Sequence, residues 1–294
     1  MAGAGKEILT KIRSVKNTQK ITRAMQMVST SKMRKTQERM RAARPYADKV
    51  RVVMAHLAKA DVADALPILE SREHIRRVGI LLVTSDKGLC GGLNANVLKQ
   101  LFAKVQECQE QNIGVEVCCF GSKGLAACER AQLDVVSSAV DLGDTPKAER
   151  IIGPVRVLIE RYLAGEIDAV YIVYSKFVNT MRQEASLETL LPIGSEALST
   201  ENQDGTQSSA MEYVYEPDPV SVLEFLVRRY LESVVYQAMC DNMASEQAAR
   251  MVAMKAATDN AGEAIKELQL VYNKSRQAAI TTELSEIVAG AAAV

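Results

Sequence analysis

The residues of this chain that could do chemistry are concentrated in one stretch, GILLVTSDKGLCGGLNANV at residues 79–97. An apolar run ends before Asp86, and a loop with three glycines then leads into a helical pattern. Nucleotide-binding folds hold a phosphate with a strand, a glycine-rich loop and a helix in this order, because the loop amides and the helix N-terminus face the anion. The first question is therefore whether this loop binds a phosphate.

The spacing of the glycines matches neither of the two common phosphate motifs. A dinucleotide site has G-x-G-x-x-G, and a phosphate loop has G-x-x-x-x-G-K followed by Ser or Thr. GLCGGLN has G-x-x-G-G, and Lys87 precedes the glycines. The second apolar run ends in Gly-Ser-Lys, without an acidic residue to bind a ribose hydroxyl. The spacing favours a strand-to-helix turn over a nucleotide site, with a protein contact surface as the third interpretation.

Nucleophilic and metal chemistry are disfavoured by the residue types. Cys90, between the glycines, is expected to be exposed and could serve as a nucleophile, but His56 and His74 are not near it in sequence. The six cysteines include no C-x-x-C pair, so we interpret them as small core residues in a reducing compartment. We predict no catalytic residue, no cofactor and no metal site.

Residues 75–200, which contain this loop, have the pattern of an α/β domain. Apolar, β-branched runs predict strands at 76–86, 114–122 and 168–177, with weaker candidates at 133–143 and 182–193. Helical patterns lie at 94–111, 122–132 and 146–164. This alternation predicts a mostly parallel sheet. The polar stretch 195–210 predicts a loop.

The chain begins with a single predicted helix, residues 1–58. Its apolar residues recur mostly at steps of three and four, which is typical of a coiled-coil seam. The predicted seam consists of Ile8, Ile12, Val15, Thr18 or Ile21, Met25, Val28, Met40, Ala43, Ala47, Val50, Met54 and Leu57. Fourteen Lys or Arg residues against three acidic ones indicate a negatively charged partner. Pro45 predicts a kink or a helix restart.

The last segment, residues 211–294, is helical as well. No proline follows Pro219, and Gly262 is the only glycine before Gly290. One helix of ~70 residues would be roughly 105 Å long. Each terminal helix has one narrow seam, and the two seams can bury each other. We therefore predict an α/β plus long coiled-coil fold, in which the N- and C-terminal segments form an antiparallel two-helix coiled coil with a Rossmann-like α/β domain inserted between them.

Three segments resemble the gamma subunit of the F-type rotary ATP synthase, bacterial type. They are IRSVKNTQKITRAMQMVSTSKMRKTQERM (12–40), SDKGLCGGLN (85–94) and LQLVYNKSRQAAITTELSEIVAGAAA (268–293). The last contains the family pattern I-T-x-E-x-x-E-x-x-x-G-A, from Ile280 to Ala291. The resemblance covers the chain from its first ten residues to its last, except for the polar loop 195–210.

The resemblance implies a central rotor stalk that is not itself catalytic. The coiled coil would lie, in one copy, inside a hexamer of alternating alpha and beta subunits, with the α/β domain against epsilon and the c-ring. Proton flow would turn the ring and the stalk, and the stalk would drive each beta subunit through open, loose and tight states. Because the chain shows no transit peptide, we expect the cytoplasmic face of a bacterial inner membrane, with membrane contact only through the c-ring.

The resemblance also implies which residues contact the partners. Contacts with the beta and alpha subunits are expected at Met25, Arg250, Gln277, Thr281 and Glu283. Two residues of the glycine loop, Lys87 and Cys90, would lie near a beta lever loop or epsilon.

Two other functions remain open on the residues alone. The basic N-terminal helix could bind nucleic-acid phosphates with a steep salt dependence, although Tyr46 is the only aromatic residue in 1–58. The α/β segment could instead be a nucleotide-binding enzyme, which would bind ATP stoichiometrically without alpha and beta subunits. The resemblance favours the stalk, which binds no nucleic acid.

Overall fold

The computed structural model describes residues 2–57, 72, 74–144, 148–193 and 219–292. Strands and helices alternate between two long terminal helices. In chain order the described elements are α1 (Ala2–Leu57), β1 (Arg77–Val83), α2 (Leu93–Glu110), β2 (Gly114–Phe120), α3 (Ser122–Arg130), β3 (Asp134–Ala139), α4 (Ala148–Leu163), β4 (Ala169–Phe177), β5 (Gln183–Leu191) and α5 (Pro219–Ala292).

The element types agree with the sequence pattern. All five predicted strands are present, the two weaker candidates included, and α5 is a single helix of 74 residues. Pro45 lies inside α1 with an exposed ring, so the predicted restart is wrong. A proline in a helix costs one backbone hydrogen bond, and the helix continues where its neighbours support it. The predicted loop 195–210 lies outside the described residues.

The contacts divide the chain into two compact units. One consists of Met1–Ser31 and Arg250–Val294, and the other of Lys32–Ala249. Both long helices contribute residues to both units.

The unit Lys32–Ala249 contains a five-stranded sheet in the order β3-β2-β1-β4-β5. The first four strands pair parallel with one another, and β5 pairs antiparallel with β4 at one edge of the sheet. One face of the sheet packs in a cluster with α2 and α3, and the other in a cluster with α4 and the first part of α5. Because both faces are covered, β1 is buried from Val78 to Val83.

In the unit Met1–Ser31 with Arg250–Val294, the two helices run antiparallel. Thr22 Oγ1 lies 2.7 Å from Thr258 Oγ1. Further along, a Cβ atom built on Gly5 would lie 3.8 Å from the ring of Tyr272. Residues nearer the start of α1 thus contact residues nearer the end of α5, which is the antiparallel arrangement that the sequence predicts.

The seam of α1 differs from the predicted one at Thr18, Ile21 and Val28, whereas the predicted Met40 is buried and Met25 is half-buried. Thr22 and Ser29 are buried, whereas Ile21 and Val28 are more than half exposed. Thr22 and Ser29 are seven residues apart, which is the heptad spacing of a coiled coil. Small hydroxyl side chains on the seam let two helices approach closely, so apolar character alone selects the wrong side of the helix here. The predicted seam residues from Ala43 to Leu57 lie outside the described side chains.

Candidate functional site

The glycine loop after β1 is closed by its own side chains. The Ser85 backbone N–H donates to Asn94 Oδ1 (3.1 Å), and Asn94 Nδ2 donates to Ser85 Oγ (2.7 Å). Among the three glycines only Gly91 has a positive φ, at 60°, and Leu89 takes a similar value of 63°. Ser85 and Asn94 therefore bind each other across the two ends of the loop, which forms a tight strand-to-helix turn.

The residues on either side of this loop join β1 to the start of α3. Asp86 Oδ1 accepts hydrogen bonds from the backbone N–H and the hydroxyl of Ser122 (2.9 and 3.0 Å). Thr84 Oγ1 donates to the Phe120 carbonyl (3.0 Å) and accepts from the Gly124 N–H (2.8 Å). An aspartate beside a helix N-terminus satisfies its free amides, as a capping residue does. Asp86 thus stabilises α3, which is a structural role.

The position where a parallel sheet of this kind binds ligands is occupied by α5. Ligands bind at the carboxyl ends of the strands, in the crevice where neighbouring strands separate. The last β1–β4 pair is Leu82 with Val173, after which the Thr84 N–H turns to the Phe120 carbonyl of β2. In the crevice so opened, the Ser175 N–H donates to Asn242 Oδ1 (3.2 Å) and Ser245 Oγ donates to the Ser175 carbonyl (3.0 Å).

The described cysteines are buried, and the expectation of an exposed Cys90 is wrong. Cys90 is 2% exposed, and its sulfur accepts from Asn94 Nδ2 at 3.4 Å, whereas the adjacent Leu89 is 62% exposed. Burial raises the pKa of the Cys118 thiol to about 12, and burial also raises the pKa of Cys240 to about 11. A neutral buried thiol is a poor nucleophile. The outward-facing side chains of the loop include Lys87 and Leu89. Sequence reasoning missed Leu89 because alternation cannot be followed through a turn.

Thiol labelling checks this placement. We expect the folded chain to show no rapidly alkylated cysteine, because reaction at a buried thiol requires local opening. The variant Leu89→Cys should gain one thiol that reacts at least about tenfold faster than Cys90. Peptide mapping by mass spectrometry after a short exposure to iodoacetamide gives both rates. Rapid alkylation of Cys90 itself would contradict the burial.

The second candidate surface is the end of α5, which continues beyond the start of α1. Because Tyr272 lies level with Gly5, the last about 17 residues of the described helix, ~25 Å in length, have no α1 beside them. Along this overhang, residues 276–292, four exposed apolar side chains share one helix face: Ile280, Leu284, Ile287 and Val288. No other described residue of this unit covers them.

The structure places three of the predicted contact residues on this overhang. Gln277, Thr281 and Glu283 are all exposed, and Thr281 Oγ1 donates to the Gln277 carbonyl at 2.9 Å. Four residues apart, Gln277 and Thr281 share a face of the helix, whereas Glu283 points to another side. The helix therefore brings together the amide and the hydroxyl but not the carboxylate.

Of the other predicted contact residues, Lys87 is exposed, whereas Met25, Arg250 and Cys90 are less accessible. Met25 is half-buried, and Arg250 is 7% exposed within this chain alone. Both belong to the unit of the overhang, and the antiparallel arrangement places Met25 level with residues just after Arg250. Lys87 and Cys90 belong to the other unit.

The basic residues of α1 form an exposed surface. In the part of α1 before Ser29, Lys11 pairs with Glu7 (2.7 Å), and no ion pair to a described residue is found for Arg13, Lys16, Lys20 and Arg23. A negatively charged surface could bind them without breaking existing pairs.

Two further features bear on function. Within the described ranges no three His, Cys, Asp or Glu side chains converge as metal ligands would. None of the described helices combines the length and apolar character that a membrane crossing requires.

Comparison with known proteins identifies close relatives. The chain matches the family model described as ATP synthase over residues 4–294. It is 70% identical over 290 residues to the ATP synthase gamma chain of Chromobacterium violaceum, and 70% identical over 292 residues to that of Neisseria meningitidis serogroup B. Each match covers 99% of this chain and 99% of the relative.

Solved structures share the fold at low sequence identity. The rotor of the Euglena gracilis mitochondrial ATP synthase is similar at a TM-score of 0.63 and 19% identity, covering 95% of this chain and 100% of that one. The central stalk and c-ring structure of the Tetrahymena thermophila mitochondrial ATP synthase contains a chain similar at a TM-score of 0.59 and 24% identity, covering 81% of this chain and 99% of that one. The predicted fold class is confirmed.

Proposed function

The chain belongs to the ATP synthase gamma chain family, and from this premise we propose that it is the central rotor stalk of a proton-translocating ATP synthase. It couples rotation of the c-ring to the conformational cycle of the catalytic beta subunits in ATP synthesis and hydrolysis. The chain itself is not catalytic. Its partners are the alpha and beta subunits, epsilon and the c-ring, with one copy per complex.

The observation that carries this proposal is the exposed overhang of α5. Four large apolar side chains on one face of an isolated helix end are unfavourable in water, and a contiguous apolar surface of this kind indicates a protein partner. A collar formed by the ends of the alpha and beta subunits would cover the overhang. The small residues near its tip, such as Ala289 and Ala291, would let the helix turn against the collar without interlocking.

The surface of α1 suits contact with successive, non-identical neighbours. Its exposed basic residues can meet acidic loops of the beta subunits, and exposed ion pairs are each worth only about 0–1 kcal/mol, so they exchange easily. Met27, which is exposed, adds a flexible and polarizable contact. Weak and adaptable contacts favour a shaft that passes one beta subunit after another.

The α/β unit supports a role without nucleotide chemistry. The crevice where a ligand would bind contains Asn242 and Ser245 of α5, and the glycine loop is closed by Asn94. We place contacts with epsilon or a beta lever loop at Lys87 and the exposed Leu89. Cys90 would stabilise the loop through its buried contact with Asn94. The protein would sit at the cytoplasmic face of a bacterial inner membrane, held there through the c-ring, and its bacterial relatives support this location.

Affinity purification of the tagged chain from detergent-solubilised membranes tests the function. We expect alpha, beta, epsilon and c subunits to be recovered with one copy of this chain. Recovery of the chain alone would contradict the stalk. Stoichiometric ATP binding by the isolated chain would support a nucleotide-binding enzyme instead, and nucleic-acid binding that weakens with salt would support the other alternative.

A further inference from the structure

The carboxyl end of β4 is completed by a helix instead of a strand. β1 pairs with β4 as far as Leu82 and Val173 and then turns towards β2. Two residues later on β4, both backbone groups of Ser175 face α5: its N–H donates to Asn242 Oδ1, and its carbonyl accepts from Ser245 Oγ. The side chains of α5 thus take the place of the backbone groups that β1 no longer offers.

These bonds differ in kind from the rest of the contact between α5 and the sheet. Before residue 240, α5 packs on the sheet face through apolar side chains, among them Val227, Leu231 and Val235. Apolar packing is non-directional, so on its own it restrains rotation of a helix about its axis less sharply than a directional bond does. Hydrogen bonds require a defined angle and distance. Ser175, Asn242 and Ser245 are at most 2% exposed, which removes competition from water.

Helix α1 is attached to the same unit in a similar way. Lys32 Nζ pairs with the Asp144 carboxylate at 2.7 Å, and Arg39 Nη1 donates to the Asp144 carbonyl. Asp144 follows β3, so this attachment also lies after the carboxyl end of a strand. The Asp144 pair is partly exposed, whereas the Ser175 bonds are buried, and the latter are the more rigid attachment.

We propose that Asn242 and Ser245 are positioning residues that fix the rotational setting of α5 on the sheet, so that torque on the α/β unit passes into the helix. This inference rests on the proposed function as a rotor stalk. Without the two bonds α5 would remain packed by its apolar face but could roll, and part of each rotation would be lost before it reached the remainder of the helix.

The test uses the assembled ATP synthase with the variants Asn242→Leu and Ser245→Ala. ATP hydrolysis and ATP-driven proton pumping are measured in the same inverted membrane vesicles. Since losing a buried hydrogen bond changes an equilibrium constant by about fivefold, we expect the ratio of pumping to hydrolysis to fall by a factor of about two to five. Alanine favours helix formation more than serine, so Ser245→Ala should leave α5 helical. If it fails to assemble, Ser245→Cys keeps a weaker donor.

Two control variants separate positioning from general stability. Ser175→Ala keeps both bonds, because they use the backbone of residue 175. It should show the wild-type ratio of proton pumping to ATP hydrolysis. Ser137→Ala loses another side-chain-to-carbonyl bond, from Ser137 Oγ to the Pro154 carbonyl (3.1 Å), which joins β3 to α4 and involves neither long helix. It should lower the thermal unfolding temperature but leave the coupling ratio unchanged.

Each outcome has a distinct meaning. The proposal is wrong if Ser245→Ala and Asn242→Leu keep the wild-type ratio of pumping to hydrolysis. It is also wrong if Ser137→Ala lowers that ratio as much as they do. Loss of coupling in Ser175→Ala would assign the effect to side-chain packing and also overturn it. A wild-type chain that never assembles with alpha and beta subunits would instead contradict the proposed function.

Discussion

Replacing Gly121 with alanine is expected to destabilise the chain by about 3 kcal/mol or more, from the sum of backbone strain and a steric clash. Gly121 has a φ of 90°, which L residues rarely adopt. A Cβ atom there would lie 2.3 Å from the Thr84 carbonyl oxygen. That atom belongs to the backbone of the segment after β1, so it cannot move aside without displacing the glycine loop.

Urea unfolding of the full chain, followed by circular dichroism, measures this loss. Gly165→Ala is the matched control, because its φ is 75° but no atom lies within 4 Å of the added Cβ. It should cost only about 1–2 kcal/mol of strain. Gly153→Ala, within α4 and in open space, should stabilise by up to about 1 kcal/mol. Equal losses for Gly121→Ala and Gly165→Ala would refute the clash.

The second large effect is expected at the overhang of α5. The double variant Gln277→Leu with Thr281→Val keeps the size of both side chains but removes the amide and the hydroxyl that share one exposed face. If these groups contact beta-subunit loops, losing two hydrogen bonds of about 1 kcal/mol each should reduce the ATPase activity of the assembled complex by about tenfold or more. Coupled hydrolysis in membrane vesicles is the measurement.

A control for this variant is Gln106→Leu, the same exchange on the exposed surface of α2, where the Gln106 amide donates to Glu110 Oε1 at 3.1 Å. It should leave assembly and activity unchanged. Unchanged assembly and coupled ATPase activity in the double variant would show that the contact assignment at the C-terminal helix is wrong. Because Glu283 lies on another side of the helix, Glu283→Gln should behave independently of the double variant.

Sequence periodicity was sufficient to predict the helices and strands and the pairing of the two terminal helices. Alternating β-branched runs and helical stretches predicted the sheet domain, and the absence of proline after Pro219 predicted one long helix, observed with 74 residues. Two narrow seams at the chain ends predicted the antiparallel pair. These inferences depend on local patterns, which residue types and spacing carry directly.

Which residues are exposed depended on a contact between distant residues in one case and on the conformation of a turn in the other. Thr22 lies on the seam because it meets Thr258, more than two hundred positions away, while the more apolar Ile21 is exposed. Cys90 is buried because the turn rotates it inward beneath Asn94. No local pattern around Thr22 contains Thr258, and the alternation of a strand does not extend through the turn that holds Cys90.

The sequence by itself favoured a turn over a nucleotide site at the glycine loop, because the spacing of the glycines fits neither phosphate motif. Only the tertiary structure decided what occupies the crevice beside it. There, β1 leaves β4, and Asn242 and Ser245 of α5 satisfy the backbone of Ser175. A buried backbone group must find a partner, but which residue supplies it depends on how the folded elements pack together.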